Sequence, residues 1–301
     1  MVRNPRSRLV ASSRRQTAAQ PTPVKLPRVI DFSAAGTIAK NSLRISLRYP
    51  ANFLIWGVLP LFWFLPFIFT GIAFTGGTTS ASYQSQTGYA NFIPYLVLGW
   101  VVFTYVDSSV WGVGNTLRWY QFSGVLEPMF MIPAPRLSIL LGAAVAEMVT
   151  TSISTAILFG LSLVIFGLSF AASAVLPVLI LLFLMIIGFT GFAFALSGLI
   201  LVFKDPSVLT ELVDTIIYIL TPINYSINVL PLWAQPLSLI LPSTFALVGI
   251  REAALAAAGL PQLWIDIVML VILDVLFWAL GMLLFQVAEH HTRRKGTLGE
   301  Y

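Results

Sequence analysis

The chain contains, from Met148 to Phe203, the run MVTTSISTAILFGLSLVIFGLSFAASAVLPVLILLFLMIIGFTGFAFALSGLILVF, in which none of the 56 residues is charged. One helix needs only about 20 apolar residues to cross the hydrocarbon core of a bilayer. The run therefore predicts two membrane-spanning helices, joined by a short turn near Ser169–Ser173.

The composition of the whole chain also indicates a membrane protein. Hydrophobic residues make up 57% of the 301 residues and charged residues only 10%, whereas about 25% of a typical soluble domain is charged. Apolar stretches at 52–75, 91–117, 208–223 and 262–288 predict four further spans. The predicted fold is all-α: a polytopic membrane protein whose six transmembrane helices occupy residues 51–288.

The sequence predicts neither a catalytic site nor a metal site. It has no cysteine, and its two histidines, His290 and His291, lie in the polar C-terminal region. This excludes disulfides, thiolate ligands and a histidine site within the spans. The patterns of a P-loop, of a His-Glu-x-x-His zinc site and of a Gly-x-Ser-x-Gly nucleophile are also missing. We therefore predict that the chain is not an enzyme and holds no metal or cofactor of its own.

The first 32 residues are polar, rich in arginine and serine, and carry no acid before Asp31. They lack the apolar core of a secretory signal peptide. A disordered basic tail on the cytoplasmic side is the preferred interpretation, because basic arms beside a membrane span bind anionic lipid. An organelle transit peptide is the alternative.

Residues 33–50 predict an amphipathic helix that ends at Pro50. At about 100° per residue, Lys40, Arg44 and Arg48 fall within one polar arc, and apolar residues occupy most of the rest. A cationic amphipathic helix beside a span lies in the membrane interface. It can act as a surface anchor, as a docking arm for a soluble partner, or as both.

The distribution of cations predicts the orientation. With the N-terminus inside, segments 1–50, 118–136, 204–207 and 289–301 are cytoplasmic, and they hold 16 of the 17 Lys and Arg residues. Only Arg251 falls outside them. The positive-inside rule therefore predicts a multi-pass protein with a cytoplasmic N-terminus and a cytoplasmic tail at 289–301. The expected location is the plasma (inner) membrane.

The stretch Gly124–Gly142, GVLEPMFMIPAPRLSILLG, lies on the predicted cytoplasmic side. Glu127 and Arg136 flank an apolar run that is broken by Pro133 and Pro135. A solvated charge pair without a role is one interpretation. The preferred one is a partner site, because an exposed apolar patch rimmed by charges often marks one. A segment of this kind at the bilayer surface can be pushed from the water phase.

Residues 224–258 precede the last span and are apolar, but prolines at and around this segment cut it into pieces too short to cross a bilayer. They predict re-entrant or interfacial helices at the outer face. Irregular backbone at membrane depth is tolerated only where it is buried in protein or lines a cavity. The prolines are Pro222, Pro231, Pro236 and Pro242.

Six acids lie within or beside the predicted spans, and charges at membrane depth usually indicate function because they are costly. Asp107, Glu147 and Asp274 are the deeper ones and are candidate functional residues. Glu211, Asp214 and Asp266 lie near span ends. The preferred interpretation is that their side chains reach the lipid headgroups or pair with a neighbouring charge.

Aromatic residues of the first two spans either line a hydrophobic substrate path or face lipid. They include Trp56, Trp63, Trp100 and Trp111.

Two motifs, in the right order between the right spans, resemble the ABC-2 type transporter permease family. The resemblance covers about residues 33–288. Just before Gly124, Gln121-Phe122-Ser123 departs from relatives that often carry an Arg or Glu there. The first motif is Gly124, Leu126, Glu127, Pro133, Arg136 and Gly142, and the second is Pro222, Tyr225, Leu230-Pro231, Trp233, Pro242 and Arg251.

The resemblance implies a transporter of two permease subunits, expected to be a homodimer, and two ATPase subunits on separate chains that hold ATP and Mg²⁺. ATP binding would press on coupling segment 119–136 and on docking helix 33–50. The lipid-embedded helices would then rock, with segment 224–258 as an outer gate. The candidate gate residues are Pro222, Tyr225, Pro231 and Pro242. A bundle with two states can be biased in this way by a contact made in only one of them.

The expected activity is export of an amphipathic or hydrophobic small molecule. Nucleic acid is not expected among the partners. Export of a lipid-linked polysaccharide or another lipid is the alternative within the family. A secondary transporter that uses Asp107 and Glu147 for protons is the alternative outside it, since stacked acids can relay protons through a membrane.

Overall fold

A computed structural model describes residues 30–125, 128–129, 134–202 and 206–295. Those residues are helical or irregular and include no β-strand, which confirms the all-α prediction. A π-helix at Ser108–Val113 directly follows the α-helix that ends at Asp107. Short 3₁₀ turns at Ala172–Ala174 and Ile227–Val229 lie between α-helices. The α-helices are α1 (Phe32–Ser46), α2 (Pro50–Thr75), α3 (Ala81–Thr87), α4 (Phe92–Asp107), α5 (Thr116–Phe122), α6 (Arg136–Phe166), α7 (Val175–Val202), α8 (Pro206–Leu220), α9 (Gln235–Leu239), α10 (Pro242–Leu255) and α11 (Trp264–Lys295).

Five helices of the described chain are long and apolar enough to cross a membrane. They are α2, α4 with the π-helix that follows it, α6, α7 and α11. The sixth predicted span, 208–223, coincides with α8, whose 15 residues measure only about 22 Å at 1.5 Å per residue. Because the hydrocarbon core is about 30 Å thick, the count of six spans is not confirmed.

Helix α1 forms where the amphipathic pattern predicts a helix, but it ends at Ser46 and Pro50 begins α2. The Asp31 carboxylate caps it by accepting hydrogen bonds from the amides of Ser33 and Ala34. Capping satisfies backbone donors that the first helical turn leaves free. Helix α1 packs against α6, where a Cβ on Gly142 would lie 2.6 Å from the Ala35 carbonyl.

Helices α7 and α11 form the most extensively packed pair, and glycines allow their backbones to approach. A Cβ on Gly281 would lie 2.0 Å from the Gly191 carbonyl oxygen, and a Cβ on Gly198 would lie 2.8 Å from the Phe285 Cα. Small residues at helix interfaces are typical of membrane proteins, in which close packing stabilises helix association. No side chain fits at Gly281 without moving one of the two helices.

Prolines divide the segment between α8 and α11 much as the sequence predicts. Pro242 is the first residue of α10 and Pro236 the second of α9, positions where the missing amide leaves no helical hydrogen bond unmade. Helices α9 and α10 have 5 and 14 residues, so neither can cross a bilayer. Helix α11 continues beyond the predicted span end at 288 to Lys295, so the polar tail begins as helix.

Candidate functional site

The predicted coupling segment is only partly described. Leu126, Glu127 and Pro133 lie outside the described residues. Gly124 follows α5 with a φ of +67°, a left-handed conformation that favours glycine. The Val125 amide nearby donates a 2.9 Å hydrogen bond to the Tyr120 carbonyl. The glycine of the first motif therefore turns the chain just after α5, inside the coupling segment.

Arg136 is the first residue of α6, and its guanidinium forms an ion pair with Glu289 near the end of α11. The two side chains are only 15% and 19% exposed, so solvent screens the pair less than it would a surface pair. No pattern in the sequence singles out Glu289, which lies 153 positions from Arg136. The pair links the end of the coupling segment directly to the last span.

The same end of α6 also holds α1. The Asp31 amide donates a 2.7 Å hydrogen bond to the Ser138 hydroxyl, one turn into α6. Burial raises the pKa of the Tyr120 phenol on α5, and a hydrogen bond with Ser42 of α1 opposes that shift. Helices α1, α5, α6 and α11 therefore meet where the coupling segment begins and ends.

Two of the predicted docking cations, Lys40 and Arg44, lie on α1, and the third, Arg48, lies just after its end. Lys40, Arg44 and Arg48 are all exposed, whereas Ala35 is buried against α6. Apolar side chains of α1 and its C-terminal end are exposed beside them, including Ile45 and Leu47. One helix therefore presents both cationic and apolar groups outward, as a helix at a membrane interface does.

Two of the four predicted outer-gate residues, Pro222 and Tyr225, are connected to Arg251, which was not among the predicted gate residues. Arg251 of α10 is 3% exposed and donates hydrogen bonds to the carbonyls of Pro222 (2.8 Å), Ile223 (2.5 Å) and Tyr95 (3.1 Å). The Tyr95 phenol in turn donates a 2.9 Å bond to the Tyr225 carbonyl. A lone cation in an apolar segment was the signal that could have identified Arg251.

The Arg251 cluster, formed by Arg251, Tyr95, Pro222, Ile223 and Tyr225, holds the irregular chain after α8 against the N-terminal half of α4. A Cβ on Gly99 would lie 2.3 Å from the Ile223 carbonyl oxygen, so α4 and the chain after α8 are in close contact. The Trp100 indole donates a 3.1 Å hydrogen bond to the Asn224 side chain. Burial also raises the pKa of the Tyr83 phenol, whose ring lies 5.5 Å from that of Tyr95.

The other predicted gate prolines lie apart from the Arg251 guanidinium. Pro231 is exposed, and its carbonyl accepts a 2.8 Å hydrogen bond from the Ala234 amide. Pro242 packs near Gly188 of α7, where an added Cβ would also lie 2.4 Å from the Asp274 carboxylate. Asp274 is buried, and one of its carboxylate oxygens has no hydrogen-bond partner in the described structure.

Two of the three predicted intramembrane acids share a cavity, and Asp274 is not part of it. Asp107 and Glu147 line a cavity of about 400 Å³ between α2, α4, the π-helix and α6. The Ser108 hydroxyl donates a 3.1 Å bond to Glu147 and lies 2.6 Å from the Thr151 hydroxyl. Segments of π-helix recur at functional sites, and this one begins directly after Asp107. In the described chain, no three His, Cys, Asp or Glu residues group as a metal site.

Comparison with known proteins places the chain in a transporter family. The model of the family described as ABC-2 type transporter matches residues 34–255, which is more than half of the chain. The match includes the coupling segment, the acidic cavity and the Arg251 cluster. No curated protein matches the chain.

Proposed function

Because the chain belongs to the ABC-2 type transporter family, we propose that it is the membrane subunit of an exporter driven by a separate ATPase. The family normally works with an ABC ATPase, and that partner would supply ATP and Mg²⁺. The cargo is an amphipathic or hydrophobic small molecule. The subunit works as a homodimer in the plasma membrane, with both termini in the cytoplasm.

The observation that carries this proposal is the Arg136–Glu289 ion pair. It ties the C-terminal end of the coupling segment to α11, and α11 packs along α7 through close glycine contacts. A push on the coupling segment therefore reaches two long helices at once. Rigid helices with closely packed contacts transmit such a push as a rigid-body movement rather than absorbing it.

Helix α1 supplies the second contact for the ATPase. It is attached to the start of α6 through Asp31 and Ser138. Lys40 and Arg44 on α1, and Arg48 in the turn that follows it, are exposed to solvent. Complementary charge steers association and fixes the register of a complex. An acidic surface on the ATPase would therefore dock on α1 and act on the same helix ends as the coupling segment.

The Arg251 cluster provides the outer gate, at the N-terminal end of α4 and away from the coupling segment. Pro222 and Tyr225 are held through their backbone carbonyls, whereas Pro231 and Pro242 set the breaks between the short helices. A gate needs irregular backbone whose polar groups stay satisfied at membrane depth, and Arg251 satisfies them. Opening of the gate then requires the hydrogen bonds between the Arg251 guanidinium and its carbonyl acceptors to break.

Co-purification with mass spectrometry, followed by reconstitution with the ATPase found, tests the proposal. We expect a nucleotide-binding subunit to co-purify and ATP-dependent movement of an amphipathic dye across proteoliposomes. A bound lipid-linked saccharide, with no dye transport, would favour the polysaccharide alternative. Transport that follows a proton gradient without ATP would contradict the proposal and favour a secondary transporter.

A further inference from the structure

The cavity between α2, α4 and α6 is large enough for an organic molecule. Its volume is about 400 Å³, within the range of small-molecule sites. Ser46 of α1 is part of its wall, so the cavity lies in the half of the bundle nearest the coupling segment. This is the half that a cargo entering from the cytoplasmic leaflet reaches first.

The described lining holds two acidic side chains and no basic one. Asp107 and Glu147 contribute carboxyl groups, and no Lys or Arg is among the lining residues. Glu147 accepts a hydrogen bond from Ser108, whereas no hydrogen bond or ion pair joins the Asp107 carboxylate to any residue in the described chain. An unpaired carboxylate in an apolar environment is costly, so a ligand that carries a positive charge would stabilise this site.

Aromatic rings form much of the remaining wall. Four tryptophans line the cavity, and Trp100 contacts the rings of Phe64 and Phe103 at centroid distances of 5.9 and 5.7 Å. The faces of indole rings attract cations, most strongly where water is excluded. Trp56 and Trp63 are 56% and 51% exposed, so they flank a way in from the lipid side.

Besides Asp107, the Ser154 hydroxyl is a polar group of the wall for which the described structure gives no hydrogen-bond partner. Ser154 is 7% exposed and lines the cavity, yet no hydrogen bond joins its hydroxyl to another described residue. Buried hydroxyls almost always have a partner. A hydroxyl that lacks a protein partner at the cavity wall indicates that a ligand or water forms its hydrogen bond.

We propose that this cavity is the cargo site and that it binds organic cations, with the charged end between Asp107 and Glu147 and the apolar body against the tryptophans. The proposal rests on the proposed exporter function and names its substrate class. Neutral and anionic amphiphiles of the same size would be excluded because they leave the two carboxylates without a partner.

Equilibrium binding of tetraphenylphosphonium to the full chain in lipid nanodiscs tests the site, with tetraphenylborate as an anion of matched size. Empty nanodiscs correct for partition into lipid, and mildly alkaline buffer keeps the carboxyls ionised. We expect saturable binding of the cation alone. Asp107→Asn and Glu147→Gln should each weaken it about tenfold, because each removes one attraction between opposite charges. Asp266→Asn, an acid outside the cavity, should leave it unchanged.

Equal binding of the cation and the anion would overturn the proposal, and so would cation binding that survives the double Asp107→Asn, Glu147→Gln variant. The comparison of the two ions on the unmodified chain stands even if a variant fails to fold. These measurements need no ATPase. A chain that binds the cation without recruiting an ATPase would contradict the proposed function alone, whereas ATP-driven export of a neutral dye without cation binding would contradict the cation site alone.

Discussion

The guanidinium of Arg251 lies 3.3 Å from the centre of the Tyr95 ring and also donates a hydrogen bond to the Tyr95 carbonyl. It is buried, and no carboxylate forms a salt bridge with it in the described chain. A ring face and three carbonyls thus replace the counter-ion, since cation–π attraction and hydrogen bonds both strengthen where water is absent. Arg251 is therefore a principal anchor of the chain after α8, together with the Tyr95–Tyr225 and Trp100–Asn224 hydrogen bonds.

Arg251→Met should destabilise the protein by about 3 kcal/mol, because it leaves three buried carbonyls without their donor. Arg251→Lys should recover only part of the loss, since an ammonium lacks the planar fork of a guanidinium. Thermal unfolding of purified protein measures both. Arg48→Met is the control, because Arg48 is exposed. Equal melting temperatures for Arg251→Met and Arg48→Met would contradict the role assigned to Arg251.

Gly281→Ala should destabilise the protein by roughly 1–3 kcal/mol, because the new methyl group forces α7 and α11 apart. Its Cβ would lie 2.0 Å from the Gly191 carbonyl oxygen. Gly160→Ala is the matched control, since no atom lies within 4 Å of the Cβ position there. Thermal unfolding should show a loss for the first variant and none for the second. A similar melting temperature for both would exclude close α7–α11 packing.

Arg136→Ala and Glu289→Ala should each lower the amount of cargo moved per ATP hydrolysed, because each cuts the link between the coupling segment and α11. Reconstituted protein with its ATPase provides both rates. The exchange variant Arg136→Glu, Glu289→Arg should restore part of the coupling, as expected if attraction between the two charges matters. Normal coupling ratios in both single variants would rule out this link.

Glu127→Ala should uncouple the transporter in the same way, while the protein still inserts into the membrane. Glu127 lies outside the described residues, so the expectation rests on its place in the charged, apolar coupling segment. The ratio of transport to ATP hydrolysis is the measurement, with Glu211→Gln as a control acid elsewhere in the chain. An unchanged ratio in Glu127→Ala would contradict a coupling role for this residue.

Reversal of Lys40, Arg44 and Arg48 to Glu should weaken capture of the ATPase by the immobilised protein at least tenfold, because attraction to an acidic partner surface becomes repulsion. Reversal of Arg3, Arg6 and Arg8 changes the net charge equally and serves as the control. Capture that falls equally in both triple variants would indicate a general charge effect. Undiminished capture in the first variant would exclude docking on α1.

Several features were predictable because each depends on neighbours in sequence. The spacing of cations and apolar residues predicts α1, and the prolines predict where the short helices α9 and α10 begin. The end of helix α8, in contrast, depends on a residue that is distant in sequence. Residues 208–223 are apolar enough for a span, but the helix ends at Leu220, where Arg251 captures the carbonyls of Pro222 and Ile223.

The sequence by itself determined the all-helical membrane class, because backbone hydrogen bonds within a bilayer can be satisfied inside each apolar run. Tertiary structure alone decided that Arg136 meets Glu289, that Arg251 sits on Tyr95, and that Asp107 and Glu147 share a cavity from which Asp274 is excluded. Those partners lie far apart along the chain. Which of them meet depends on how whole helices rotate and pack, and glycines such as Gly191 and Gly281 set that packing.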